Sequence, residues 1–218
     1  MGVQSSLCEN GKRMKIFLPI LLTLGLFQGC GTAPKTPRVY EDVIEITEIT
    51  PNRLTALTKQ NLFHLAKVYD LKPFLYTKQI HVQSYVVPHS HPILTINTRH
   101  AERPHRLLAT WLHEEFHWWV GLNSVNYERT LAELKKMFPR IPGGNISPRS
   151  TYLHLIICYL EYRALVHYLG EKESRVIIKE LIEKDKLYPW VYAQILNKRA
   201  VIAKVIVANK LLPPPLSP

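Results

Sequence analysis

The sequence predicts an α+β protein, a small antiparallel sheet packed on a mostly helical second half. Three observations carry that prediction. Apolar residues recur at helical spacing through residues 54–69, switch to β-branched runs through residues 74–98, and return to helical spacing from about residue 105 onward. Prolines mark the junctions near residues 73 and 104, and Pro88 and Pro92 set a turn inside the β-prone stretch. With 218 residues, 46% of them hydrophobic and 21% charged, the chain can bury one good core and is too short for two full domains.

The first 29 residues read as a secretory signal. Lys12, Arg13 and Lys15 precede an apolar run from Ile16 to Phe27 that is short for a bilayer span. Met14 serves equally well as the start. The run closes in Leu26-Phe27-Gln28-Gly29-Cys30, which resembles the lipobox of bacterial lipoproteins and implies a lipidated Cys30 at the cell envelope, tethered to a membrane. Phe27 and Gln28 depart from that pattern. Residues 30–51 then form a tether and an extended segment, residues 52–212 the folded domain, and residues 213–218 a disordered tail.

Within the domain, Pro51-Asn52 opens a helix that ends near Asp70. Ile80 to Val87 and Ile93 to Thr98 are β-prone and flank the turn Pro88-His89-Ser90-His91-Pro92, which predicts a two-stranded antiparallel pairing. A helix follows from about His105 to Gly121, another from Tyr127 to Phe138, and an apolar one from Ser150 or Thr151 to Leu169, with Gly170 as its stop. Two more are expected, Glu171 to Lys186 and Trp190 to Leu211.

A formal net charge of +11 falls by two when Glu9, Lys12, Arg13 and Lys15 leave with the signal, and the remainder favours an anionic surface. Its basic residues are scattered as Lys135-Lys136, Lys184/Lys186 and Lys198-Arg199, without interleaved aromatics, which argues against nucleic acid as the partner. Of three cysteines, Cys158 alone lies inside the domain; one thiol makes no internal disulfide, and its apolar neighbours suit a buried small hydrophobe.

The chemistry is concentrated in His113-Glu114-x-x-His117. Residues four apart on a helix share a face, so both imidazoles can reach one ion, with Glu114 beside them to take a proton from an activated water. Ten histidines in a chain of this length make the pattern a roughly 0.03-fold chance event, so context has to complete the argument. No Pro or Gly breaks Arg106 to Val120, and a β-prone segment lies just upstream. A catalytic zinc takes three protein ligands. Asn123 occupies the position six residues after His117 where a third histidine is sometimes found, and Glu128 and Glu133 lie in a polar segment. Glu161, a carboxylate in the middle of an apolar helix, is the preferred third ligand, with an ion pair to an arginine as its competing explanation. His154 and Tyr168 lie seven residues before and after Glu161, on nearly one stripe. Either could hydrogen-bond a developing oxyanion or orient a ligand; either could equally be a core residue with its polar tip satisfied. His89 and His91 read as a solvated turn, and the pair Trp118-Trp119 as a binding patch or as core.

With these residues in view, the chain resembles the zincin superfamily of metallopeptidases, in its gluzincin pattern of His113-Glu114-x-x-His117 followed by Glu161. The resemblance implies Zn2+ held by His113, His117 and Glu161, Glu114 as general base, an edge strand beside the active-site helix, and a peptide or protein substrate. A cell-wall peptide is an alternative substrate, and a non-catalytic envelope lipoprotein an alternative role. The spacing from His117 to Glu161 is longer than in thermolysin-like members, and the acidic residue usual one turn after the third ligand is missing.

Overall fold

The computed structural model describes residues 43–142 and 146–216, so the signal, the lipobox with Cys30 and most of the tether lie outside the described residues. Asn52 begins the helical architecture. Its side chain accepts from the backbone of Leu54 and Thr55, and Thr55 Oγ1 accepts from the Asn52 N–H at 2.8 Å, which starts α1 at Arg53–Tyr69. Asp70, in the left-handed region at φ 45°, ends it.

Three short strands follow one another in space as in sequence: β1 (Glu45–Glu48), β2 (Gln79–Gln83) and β3 (Leu94–Asn97). Both pairings are parallel, Ile46 opposite Ile80 and Val82 opposite Ile96, which corrects the expected antiparallel sheet. The reason lies in the connection. After β2 the chain crosses to the outer edge of β3 and descends there, where His89 and Thr95 exchange backbone hydrogen bonds of 3.1 and 2.7 Å in an antiparallel bridge. It then turns at His91-Pro92, and β3 returns between that segment and β2. Of the expected turn Pro88–Pro92, His89 is extended and pairs with Thr95, and the chain bends at residues 91–93; the segment joined to β3 is the one around His89, not β2. Ile44, Ile46, Ile80, Val82, Leu94 and Ile96 are all buried, so β1, expected as part of the tether, belongs to the core.

The helices are α2 (Pro104–Leu122), α3 (Ser124–Met137), α4 (Pro148–Lys184), α5 (Pro189–Asn197) and α6 (Arg199–Ala208). Pro104, Pro148 and Pro189 each stand in a first turn, where a missing N–H costs nothing. Within α4, Gly170 leaves helical geometry at φ 77°, ψ 164°, so the element is two rods joined at the expected glycine. A Cβ at Gly170 would touch nothing within 4 Å, so substitution there carries only the backbone cost, about 1–3 kcal/mol. The single helix expected from Trp190 to Leu211 is instead broken at Lys198, whose φ of −127° is not helical. Apolar periodicity runs on across that break, which is why the sequence does not announce it.

The two rods of α4 carry the centre of the protein. Leu155, Ile156, Tyr159, Leu160 and Tyr162 are fully buried in the first, and Ile178 in the second. Polar ties brace the same packing. Glu115, 1% exposed, accepts from the N–H groups of Tyr76 (2.8 Å) and Thr77 (3.2 Å) and from Trp111 Nε1 (3.1 Å), fastening the approach to β2 onto α2. Burial nevertheless pushes its carboxyl up to about 8. Trp118 donates to the Ser90 carbonyl and Trp119 to that of Leu211, both at 2.8 Å, so both indoles are tied into the chain's own backbone. Where a disordered tail is expected, the described part closes as a short turn at Pro214–Leu216, with Leu216 buried and its carbonyl accepting from Arg163 at 3.0 Å. Among the described residues no helix is long and apolar enough to cross a membrane.

Candidate metal centre

α2 and the first rod of α4 pack side by side, and their contact stripes hold the histidine cluster of the site. On α2, Arg106, Thr110, His113, Glu114 and His117 line one cleft of about 880 Å³. On α4, His154 and Glu161 line it from the opposite side, and Tyr188 and Tyr192 close it from α5 and its approach.

Three imidazoles converge there. The ring centroids of His113 and His117 are 5.2 Å apart, those of His113 and His154 5.4 Å, and those of His117 and His154 5.2 Å. One nitrogen from each lies within 4.8 Å of the other two. A tetrahedral zinc about 2.1 Å from each nitrogen sets its ligands about 3.4 Å apart, so small ring rotations would close the group on an ion. The outward nitrogens are already engaged. His113 Nδ1 lies 2.9 Å from Glu161 Oε2, and His154 Nδ1 lies 2.8 Å from the Ser150 carbonyl. Carboxylate and carbonyl only accept, so both Nδ1 atoms carry the proton and both Nε2 atoms are left for the cleft. Tyr188 stacks on His154 at 3.6 Å and fixes that ring from behind, with its hydroxyl 3.1 Å from Ser150 Oγ.

Electrostatics follow from the crowding. Burial, then the neighbouring His113, lower His117 to about 2; the same two causes lower His154 to about 3. Burial alone would lower His113 as well, but hydrogen bonds with Cys158 and Glu161 outweigh it and hold His113 well above its ordinary value. Glu114, 6% exposed at the cleft wall, is raised by burial.

The site residues expected from sequence separate into three groups. His113, Glu114, His117 and His154 share the cleft. Glu161 lies there too, 1% exposed, but its Oε2 accepts from both His113 Nδ1 and the Tyr192 hydroxyl (3.1 Å), so it stands behind a histidine and does not complete the ring cluster. Tyr168 is elsewhere: it packs on Tyr69 and Phe74 at 5.6 and 5.7 Å and reaches toward the Asp70 carbonyl, outside the cleft lining. A seven-residue spacing drifts about 20° per repeat on a straight helix, so two repeats turn Tyr168 away from the stripe that holds His154. A second group of possible ligands, His113, Cys158 and Glu161, shares His113 with the first. Cys158 is fully buried, its thiol is pushed up to about 11 by burial, and it is not part of the cleft lining. His113 and Glu161 alone of that group line the cleft.

Sequence reasoning missed Tyr188, Tyr192, His100 and Arg106. For Arg106 a signal existed: it lies seven residues before His113, on the cleft stripe of α2. His100 is half-buried with Nδ1 lacking a partner among the described residues, and burial followed by Arg106 lowers it to about 4. A base lowered on folding contributes stability that is complete above its ordinary 6.5 and is lost as pH falls through about 4. Urea midpoints measured from pH 7 down to 4 should therefore drop further for the wild type than for His100→Gln; parallel curves would remove the assignment.

The second wall of the cleft is the segment around His89. Val87 to His91 line it, and His91 stacks on Trp118 of α2 at 4.3 Å. The outermost extended segment of the sheet thus runs beside the candidate centre.

Comparison of the chain with protein families, with curated proteins and with solved structures finds no match.

Proposed function

We propose that the chain is a zinc-dependent hydrolase acting on peptides, with His113, His117 and His154 as the metal ligands and Glu114 as the general base. One observation carries the reading: three imidazoles from two helices converge in an open cleft, two of them with Nδ1 tied to oxygen acceptors and Nε2 left for an ion. Metal-ligating histidines characteristically carry such an outer partner, which sets tautomer and orientation. A set of three imidazole nitrogens suits zinc and leaves a fourth position open, with His113 giving up its second proton as the ion binds. The ligand role expected for Glu161 passes to His154, and Glu161 becomes the residue that orients His113.

Bound zinc would lower the pKa of a water toward neutrality and polarise a scissile carbonyl. The chain's own residues do the rest. Glu114, next to His113 on the cleft wall and raised by burial, takes the proton of the attacking water and returns it to the leaving amine. Tyr188, stacked on His154 with its hydroxyl on Ser150, holds that ring in place in the cleft. The Val87–His91 segment offers extended backbone along which a peptide can lie. The signal and lipobox motif put this activity outside the cytoplasm, anchored at Cys30, with cell-wall peptide among the substrates it would meet.

Zinc titration of purified protein tests the reading at its base. About one equivalent should bind tightly to the wild type, and tight binding should disappear in His117→Ala. A wild-type chain that takes up no zinc ends the hydrolase proposal.

A further inference from the structure

Arg106 is 8% exposed and lines the cleft two helical turns before His113. Its guanidinium has five N–H donors. Nε and Nη1 are buried and have no hydrogen-bond partner among the described residues. The acid beside it does not serve: Glu180 Oε2 is 3.9 Å from Nε, beyond hydrogen-bond reach. Glu180 is also engaged elsewhere, its two oxygens accepting from Arg103 at 2.7 and 2.6 Å and Oε1 also from Lys184 at 3.1 Å. The other carboxylates of the cleft are equally occupied or distant. Glu161 serves His113 and Tyr192, Asp185 caps the N–H groups of Leu187 and Tyr188, and Glu114 sits at the metal end.

A buried guanidinium with vacant donors is costly in a finished structure and useful in a binding site, because its planar fork matches a carboxylate in two parallel hydrogen bonds. The surroundings point the same way. His100, whose Nδ1 is likewise buried without a partner, lines this end of the cleft, and Arg99, Lys184 and Lys186 add positive charge to its lining. Along α2, the seven residues from Arg106 to His113 advance about 10.5 Å. Extended peptide covers that length in about three residues at roughly 3.4 Å each.

We propose that Arg106 is the substrate-recognition residue of this cleft, and that it takes a peptide carboxylate about three residues from the bond presented to the three histidines. This rests on the hydrolase reading for what happens at the metal end, and not for the binding itself. The carboxylate can come from a chain terminus or from an Asp or Glu side chain.

Calorimetry on the full chain, kept metal-free with a chelator, tests the binding without any turnover. The probes are acetyl-tetraalanine with a free C-terminal carboxylate, the same peptide as its C-terminal amide, and an amide whose last residue is Glu. The free acid should bind about tenfold or more tighter than the amide, the scale of a charge-assisted hydrogen bond. That advantage should vanish in Arg106→Met and be partly kept in Arg106→Lys. An amide ending in Glu that binds as tightly as the free acid shows that the site takes side-chain carboxylates as well; one that matches the plain amide assigns it to chain termini; both outcomes support Arg106. Equal binding of all three peptides to the wild type, no binding of any at millimolar concentration, or a carboxylate advantage that survives Arg106→Met overturns it. The acid–amide comparison needs no variant, so a poorly folding Arg106→Met leaves the test intact. A chain that shows the carboxylate preference but takes up no zinc would refute the hydrolase reading and leave this one standing.

Discussion

Glu114→Gln is expected to bind zinc as the wild type does and to lose peptide hydrolysis by a factor of about 10²–10⁴, the usual contribution of a positioned general base. The amide is nearly isosteric with the carboxylate, so the α2 wall keeps its shape, and Glu114 belongs to neither group of candidate ligands. What disappears is the proton acceptor. The measurement pairs metal content with kcat on a peptide mixture. Hydrolysis at the wild-type rate would sink the assigned role of Glu114. Loss of zinc together with activity would instead draw Glu114 into the ligand set.

The second large effect separates His154 from Glu161, the two residues of α4 that compete for the third ligand position. His154→Ala removes one of three converging nitrogens and should abolish tight zinc binding, whereas Glu161→Gln should weaken it by about 10–100-fold, the typical effect of losing an orienting partner. Zinc titrated against a chromophoric chelator at fixed pH gives both affinities. The reverse order, with Glu161→Gln zinc-free and His154→Ala still tight, would restore the His-His-Glu arrangement that the sequence suggested. Folding must be checked alongside, since Glu161 accepts from the buried Tyr192 hydroxyl as well as from His113, and Gln offers one carbonyl oxygen in place of the carboxylate.

How far the sequence reached follows from what a one-dimensional pattern encodes. The pairing of His113 with His117 is legible because its geometry is local: a four-residue step on one helix brings two rings together wherever that helix sits. Asn52, Asp70 and Gly170 were legible for the same reason, being end signals of single helices. The third ligand is not local. His154, Cys158 and Glu161 all share the stripe of α4 that faces α2. Which of them meets the first two rings depends on the axial offset between two helices, which no periodicity records. The buried carboxylate, expected as a metal ligand or as an arginine's ion-pair partner, accepts from His113 and Tyr192. The sheet failed differently. A turn flanked by two β-prone runs is the pattern of a hairpin, and a small antiparallel pairing does exist at His89 and Thr95. The strand β2 ends at Gln83, and the edge segment at His89 falls inside the expected turn, with no glycine between the two to announce the crossing.

The break at Gly170 has a consequence for how this cleft could change over evolutionary time. The rod before it carries His154 and Glu161, and the rod after it carries Leu181 and Lys184 at the basic end. The wall facing α2 is therefore hinged between the two ends of the cleft. A substitution at or next to residue 170 would alter how wide the basic end stands while leaving the histidine cluster in register. Substrate choice and chemistry could drift independently, with one backbone angle as the adjustment between them.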